Sequence, residues 1–447
     1  MNSKGTDMLH GPLLGKIIMF ALPLAASSLM QQLFNSVDVA IAGRFIGKEA
    51  LAAVGSNSPV INLLINLFMG ISMGANVVIS NHIGQNDKQK IQDAISTVSL
   101  VALLSGLFLA VLGIAVSRNI LQLIDTPQNV LPLATLYLRI YFCGIPFFII
   151  FNYCSAILRS RGDTRRPLYI LIAAGVVNTV LNVVFVVVLH WGVAGVAIAT
   201  SIANAVSAAL IVWILVNGEE PFRLVPSKMR INKQELKPML QIGIPAGLQG
   251  MIFSFSNVLM QSAINGYGAA AIAGSAASLN YESYCYFVVA AFNGAAISFI
   301  GQNYGAGHND RVRRIYRICL SMSFVLCFGL NMLILLFSDA CLNIFSTDPS
   351  VVDFGTQRLF VVVATQSIAC SYEISGASMR GMGQSMLPTL IAIFGTCILR
   401  IVWIFGVAQN FHSYDVLMMA YPVSWTLTGT MMLIAYRRTA NKLLRTE

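Results

Sequence analysis

Residues 238–281 read PMLQIGIPAGLQGMIFSFSNVLMQSAINGYGAAAIAGSAASLNY and carry no charged side chain. An α-helix crossing the hydrocarbon core of a bilayer needs about 20 apolar residues, so this run holds two crossings. Asn265-Gly266-Tyr267-Gly268 supplies the turn between them, because Asn-Gly and neighbouring glycines adopt backbone conformations that end a helix. The rest of the chain has the same character. Of its 447 residues, 56% are hydrophobic and 10% charged, against about a quarter charged in soluble proteins. A net charge of +10 would suggest nucleic acid in a soluble chain. Here the basic residues sit in short runs between long apolar stretches, which is a membrane pattern and argues against a nucleic-acid partner.

Twelve spans follow, at 16–43, 51–82, 94–116, 131–157, 167–189, 192–216, 238–263, 269–300, 315–337, 355–379, 386–408 and 415–436. The opening run Ile17–Val37 is longer than the roughly 7–15-residue core of a signal peptide and reads as a retained span. Loop charges test the count. With the N-terminus in the cytoplasm, only Arg44, Lys48, Arg118 and Arg358 of the 28 Lys and Arg fall at outer ends, and Arg139 and Arg400 fall within spans. The others, from Lys4 to Arg445, gather on the cytoplasmic side, as the positive-inside rule requires. Both termini are therefore expected in the cytoplasm of a bacterial inner-membrane protein. The eight cysteines lack ligand spacing and read as small buried hydrophobes.

The second half of the chain repeats the first. Ile83-Gly84-Gln85-Asn86 returns as Ile300-Gly301-Gln302-Asn303. Leu158-Arg159-Ser160-Arg161-Gly162, with Pro167 beyond, returns as Met379-Arg380-Gly381-Met382-Gly383, with Pro388 beyond. Pro23 and Asn35 match Pro245 and Asn257. Six spans per repeat give both halves the same orientation, a transporter architecture with a path between two lobes. The expected organisation is an N-terminal lobe at 1–216, a cytoplasmic linker at 217–237 and a C-terminal lobe at 238–447.

Ionisable side chains within a bilayer are costly and therefore functional candidates. Gln31, Asn35 and Asp38 share one helix face of the first span. Asn178 and Asn182 on the fifth span, and Thr200 and Asn204 on the sixth, lie in the same half of the membrane. A carboxylate with amide and hydroxyl oxygens suits a proton or a hard cation such as Na⁺; alternatively, Asp38 snorkels to the interface while the amides join helices. In the seventh span the stripe persists as Gln249, Phe253, Asn257 and Gln261, with Met260 where Asp38 stands in the first. Glu282 and Tyr286, one turn apart in the eighth span, and Glu373 in the tenth, combine carboxylates with aromatic groups in a manner suited to organic cations. The competing expectation pairs Glu282 or Glu373 with Arg400. Asn57, Asn62, Asn66, Asn76 and Asn81 on the second span point to a wet cavity or to interhelical hydrogen bonds. His82 and His308, near cytoplasmic helix ends, read as surface residues. There is no Walker A, nucleophile-elbow or metallopeptidase motif, so neither an enzyme nor an ATPase subunit is expected.

Gln32-Leu33-Phe34-Asn35-Ser36-Val37-Asp38-Val39-Ala40-Ile41-Ala42-Gly43-Arg44, followed by Gly47-Lys48-Glu49-Ala50-Leu51-Ala52-Ala53-Val54-Gly55, resembles the opening of MATE (multidrug and toxic compound extrusion) transporters. Gly192-Val193-Ala194-Gly195-Val196-Ala197-Ile198-Ala199-Thr200, Gly301-Gln302-Asn303-Tyr304-Gly305-Ala306-Gly307 and Arg380-Gly381-Met382-Gly383 fit the same family. The resemblance covers essentially the whole chain. It implies an all-α fold of twelve transmembrane helices in two pseudo-symmetric lobes, V-shaped around a central cavity. It also implies a monomer without a cofactor, exchanging H⁺ or Na⁺ for amphipathic, often cationic small molecules as the lobes rock. The family's ion site carries over onto Asp38, Asn178 and Thr200; its fourth position, frequently Asp, is Asn182 here. The rival expectation is a lipid-linked oligosaccharide flippase of the wider superfamily, whose anionic cargo would call for more basic residues inside the spans.

Overall fold

Inside hydrocarbon no water is available to satisfy backbone N–H and C=O groups, so apolar segments of this length close their hydrogen bonds as helices. The computed structural model describes residues 5–123 and 126–444, apart from the side chains of Lys48, Ser56, Ser58 and Pro59. Lys4, Arg445 and the Lys48 side chain of the charge pattern lie outside the described residues. Among the described residues all regular structure is helical, and 12 helices are long and apolar enough to cross a membrane. They are α1 Leu13–Ile46, α2 Glu49–Gly84, α3 Lys88–Leu123, α4 Leu131–Ser160, α5 Arg165–Val188 and α6 Gly192–Val216. Next come α7 Lys233–Asn265, α8 Ala269–Gly305, α9 Asn309–Leu336, α10 Pro349–Gly381, α11 Met386–Phe411 and α12 Tyr414–Leu443. The chain is a multi-pass membrane protein.

Each expected span has its helix, and the charge-free run divides where the turn signal lies. Gly268 opens α8 with φ 91° and Gly47 opens α2 with φ 125°. Both conformations disfavour any residue with a Cβ, so the second helix of each repeat starts on a glycine in a similar conformation. One departure bears on a charge: α10 starts six residues before the expected 355. Arg358, counted among the outer-end charges, is thereby drawn into a helix and is only 2% exposed.

Packing divides the chain into two units. One comprises residues up to Asp7 with Ala26–Gly247; the other comprises Met8–Ala25 with Leu248–Glu447. The linker and the first half of α7 thus pack in the first unit, and the opening of α1 packs in the second. In the first unit α4 is the hub, in contact with α2, α3 and α6; in the second α10 has the same place among α8, α9 and α12. These sets correspond under the sequence repeat.

The first half of α7 is fixed by polar and steric contacts. Arg230 pairs with Asp93 at 3.0 Å, and the Asn232 backbone N–H donates to Thr97 Oγ1 at 3.0 Å. Glu235, 5% exposed, meets His82 Nε2 at 2.6 Å. His82 is therefore no surface residue: its side chain is 14% exposed and closed over by the start of α7. A Cβ at Gly70, Gly74, Gly243 or Gly247 would collide with the backbone of the facing helix, so α2 and α7 touch main chain to main chain. The paired Gly-x-x-x-Gly spacings at 70/74 and 243/247 were the sequence signal for this approach.

Candidate functional site

Asp38 comes from the last turns of α1, just before its helix widens into a π-turn at Ala42–Ile46. Asn178 and Asn182 lie one turn apart on α5, immediately before another π-turn at Val183–Val188, and Thr200 comes from α6. These four side chains form one cluster. Asn182 Nδ2 donates to Asp38 Oδ1 at 2.6 Å and to Asn178 Oδ1 at 3.2 Å. The Thr200 hydroxyl donates to Asp38 Oδ2 at 3.0 Å and accepts from Asn178 Nδ2 at 3.3 Å. The same hydroxyl lies 3.0 Å from its own helix's Val196 carbonyl, an alternative acceptor for its single hydrogen.

Asp38 is 6% exposed, and around this region Ile41, Val54, Tyr137, Val186 and Val196 form an apolar core. No cation pairs with Asp38 among the described residues. Its charge is held only by neutral donors in surroundings that oppose an isolated charge. Asn182 Oδ1 is buried and has no hydrogen-bond partner. The cluster thus contains an unused acceptor beside a carboxylate, an arrangement that a proton on Asp38 or a small oxygen-loving cation would complete. For a cation the donors would be Asp38, Asn178 and Thr200, and turning the Asn182 amide would bring its oxygen to the same place.

Asn35 is exposed and makes none of these hydrogen bonds, although it lies on the Asp38 side of α1. Gln31 and Asn62 in the first unit, and Asn257 and Gln261 in the second, are also exposed; Gln261 donates to Asn265 at 3.0 Å. Asn57 is fully buried and donates to the Ala134 carbonyl of α4 at 3.1 Å, while buried Asn76 accepts from Ser80 at 3.1 Å. The asparagines of α2 therefore divide, with Asn57 joining helices and Asn62 left open.

The acids of the second unit separate into two arrangements. Glu282 does not meet Arg400. Its carboxylate is gripped by Arg358, Nε to Oε1 at 2.5 Å and Nη2 to Oε2 at 2.9 Å, and Gln366 donates to its backbone carbonyl at 2.8 Å. Both charged partners are buried, and this two-point geometry is the strongest an arginine and a carboxylate can adopt. Arg400 lies over the rings of Tyr421 and Trp425, at 4.4 and 5.9 Å, and donates to Ser424 at 3.2 Å. Tyr286 turns away from Glu282, and its hydroxyl reaches Glu373 Oε1 at 3.5 Å. Asn293 completes that second group, donating to Glu373 Oε2 at 2.7 Å. One turn pair further along α10, Arg380 donates to Gln249 at 2.6 Å and keeps a buried Nε without a partner. Arg358 and Asn293 belong to these sites although sequence reading passed over them; for Arg358 the available signal was a charge interrupting an apolar run.

Comparison with known proteins places this geometry in context. "Probable multidrug resistance protein YoeA" of Bacillus subtilis is 28% identical over 383 residues, covering 84% of this chain and 83% of that protein. The "FAD transporter" of Shewanella oneidensis is 26% identical over 326 residues, 71% of each chain. The structure of a MOP superfamily transporter from Pyrococcus furiosus superposes with a TM-score of 0.92 over 100% of both chains at 19% identity, which is a likeness of fold. The MatE family pattern matches residues 23–184 and again residues 245–405, one copy in each half, so that this chain belongs to the MatE family of transporters.

Proposed function

We propose that the protein exports amphipathic, often cationic small molecules in exchange for H⁺ or Na⁺ by alternating access, with Asp38 as the coupling group. The observation that carries this reading is the buried Asp38 carboxylate held by Asn182 and Thr200 without a cation, next to the unpartnered Asn182 oxygen. A proton or Na⁺ on Asp38 removes the charge that its apolar surroundings oppose, and so favours whichever packing buries the cluster most completely. One positive charge moving through 100 mV releases about 2.3 kcal/mol, a bias of roughly fiftyfold between two states. Names of relatives as multidrug resistance proteins support the cargo class. Glu373 with Tyr286 offers a carboxylate and an aromatic ring to a cationic cargo, and each unit by itself exposes amides that suit water or polar cargo rather than lipid, Gln31 and Asn62 in the first and Asn257 and Gln261 in the second. Glu282, neutralised by Arg358, is assigned to holding α8 and α10 together.

The test uses purified protein in liposomes with ethidium as cargo. Asp38→Asn keeps the shape of the site but fixes it in a neutral form. It should fold and bind ethidium as the unsubstituted protein does, and lose efflux driven by an imposed pH or Na⁺ gradient. Gradient-driven efflux at an undiminished rate would remove Asp38 from the coupling role and leave Glu373 as the next acid to test.

A further inference from the structure

α9 opens with a run of arginines whose members have different partners. Arg311 donates from Nε to Asn303 Oδ1 at 3.0 Å and from its terminal nitrogens to the carbonyls of Gly11 and Met8, both at 3.3 Å. Arg313 reaches Asn441 Oδ1 at 3.4 Å and the Leu444 carbonyl at 3.5 Å. Arg314 and Arg317 are exposed and have no hydrogen bond or ion pair among the described residues. They line an open cleft of about 360 Å³ with Leu14 of α1 and with Ile318, Ser321 and Met322.

Positions 314, 317, 318, 321 and 322 share one face of the helix, so the cleft has a cationic end and an apolar length. The same face continues to Val325 and Met332, 55% and 36% exposed. This change of character falls at a bilayer boundary. The 28 residues of α9 span about 42 Å, against a hydrocarbon core of about 30 Å, so each end projects by roughly 6 Å. Arg314 and Arg317 lie about 8 and 12 Å from the first residue of the helix. Their side chains lean toward that end and can lift the guanidinium groups to headgroup level.

We propose that this cleft binds an anionic phospholipid, its phosphate between the Arg314 and Arg317 guanidinium groups and an acyl chain along Ile318, Ser321 and Met322. Two cations that line one opening, neither paired among the described residues, suit a phosphate oxygen pair. Below them Leu14, Ile318 and Met322 give a fatty chain an apolar track, which a free inorganic anion does not use, with the Ser321 hydroxyl the one polar group along it. Leu14 belongs to the segment of α1 that packs in the second unit, so the lipid would join that segment to α9 within one unit.

The full-length protein, stripped of lipid in detergent, is titrated with phosphatidylglycerol, phosphatidylcholine or sodium phosphate, and bound lipid is counted by native mass spectrometry. Phosphatidylglycerol should form a single saturable adduct, with phosphatidylcholine far weaker. Arg314→Gln with Arg317→Gln should weaken the adduct about thirtyfold, two interfacial cations being worth roughly 2 kcal/mol. Arg437→Gln with Arg438→Gln makes the same change of charge at exposed positions outside the cleft and should leave binding unchanged. Ser321→Phe alters no charge but fills the apolar length, and should also weaken the adduct; it carries the test if the first pair fails to fold. Equal loss in both arginine pairs, or no preference for phosphatidylglycerol, would overturn the proposal. Displacement of the lipid by inorganic phosphate alone would overturn it too, by assigning the site to a free anion.

Discussion

Asp38 and Glu282 are both buried carboxylates on membrane helices, and they are stabilised in opposite ways. Glu282 has an arginine locked to it at two points, so its charge is cancelled permanently. Asp38 has an amide and a hydroxyl, donors that lessen the penalty of the charge without removing it. A permanently matched pair resists change, because separating the partners leaves two uncompensated charges. A charge held by neutral donors has a low-cost alternative, which is to take up a proton or a cation. On the function proposed above, the first arrangement is a fastener and the second a switch. The two are distinguished by what faces the acid rather than by the acid or its depth.

The sharpest way to break the comparison is to remove the arginine. Arg358→Met should destabilise the folded protein by about 3–5 kcal/mol, because Glu282 is left buried and unpaired. Glu282→Leu combined with Arg358→Met should recover most of that loss. Unfolding in mixed micelles followed by tryptophan fluorescence reads both effects. Asp38→Asn in the same assay should shift stability far less. If it costs as much as Arg358→Met, the switch reading fails and Asp38 is a fastener too.

A medium effect is expected at Asn182. Asn182→Leu removes the shortest hydrogen bond to Asp38, and a bond to a charged acceptor is worth about 1.5–3 kcal/mol. The loss should shrink when Asp38→Asn is already present, since the acceptor is then neutral. Additive losses in that double-mutant cycle would mean that Asp38 carries no charge in the starting protein. Asn182→Asp sharpens the same comparison: a second carboxylate should raise Na⁺ affinity, measured by Na⁺-dependent protection against unfolding.

The smallest effect concerns an acid outside the membrane. Asp348 precedes α10 and accepts hydrogen bonds from the Ser350 hydroxyl and backbone N–H, which hold its carboxyl below the usual carboxylate range. A depressed carboxyl stabilises the fold above its unfolded-state titration and ceases to do so as pH falls through its folded one. Asp348→Ala should therefore lower stability slightly at neutral pH, and the two proteins should converge under acid conditions. A difference that persists in acid would show that the Asp348 contacts do not depend on its charge.

The span count was legible because hydropathy and loop charge are properties of the chain in one dimension. The grouping of Asp38, Asn178, Asn182 and Thr200 was legible only through family resemblance, since helix periodicity places Asn35 as near to Asp38 as any of them. Asn35 and Asp38 are about 60° apart around α1, and periodicity does not say which edge of a polar stripe meets α5 and α6. The Glu282–Arg358 pair was hidden for two reasons. Its members are 76 residues apart, and a hydropathy reading trims charged residues from the end of a span, whereas this one is buried by its partner. The fate of His82 was hidden likewise, because Glu235 reaches it from 153 residues away.

Because Met8–Ala25 belongs to the second unit and the start of α7 to the first, neither unit is contiguous in the order of synthesis. A ribosome that has released α1–α6 has not yet made the α7 segment that packs its glycines against α2. The opening of α1 waits longer: Phe20 meets Phe299 edge to face at 5.5 Å, a ring from α8. At about 5–20 residues per second, that contact becomes available roughly 15–60 s after Phe20 is made. During that time the opening of α1 sits in the membrane without the α8 ring it will pack against, while the later turns of the same helix already have α5 and α6 beside them. A gene cut within the linker would give two products that each lack a helix segment their own unit requires, and the two would have to be made together to complete each other.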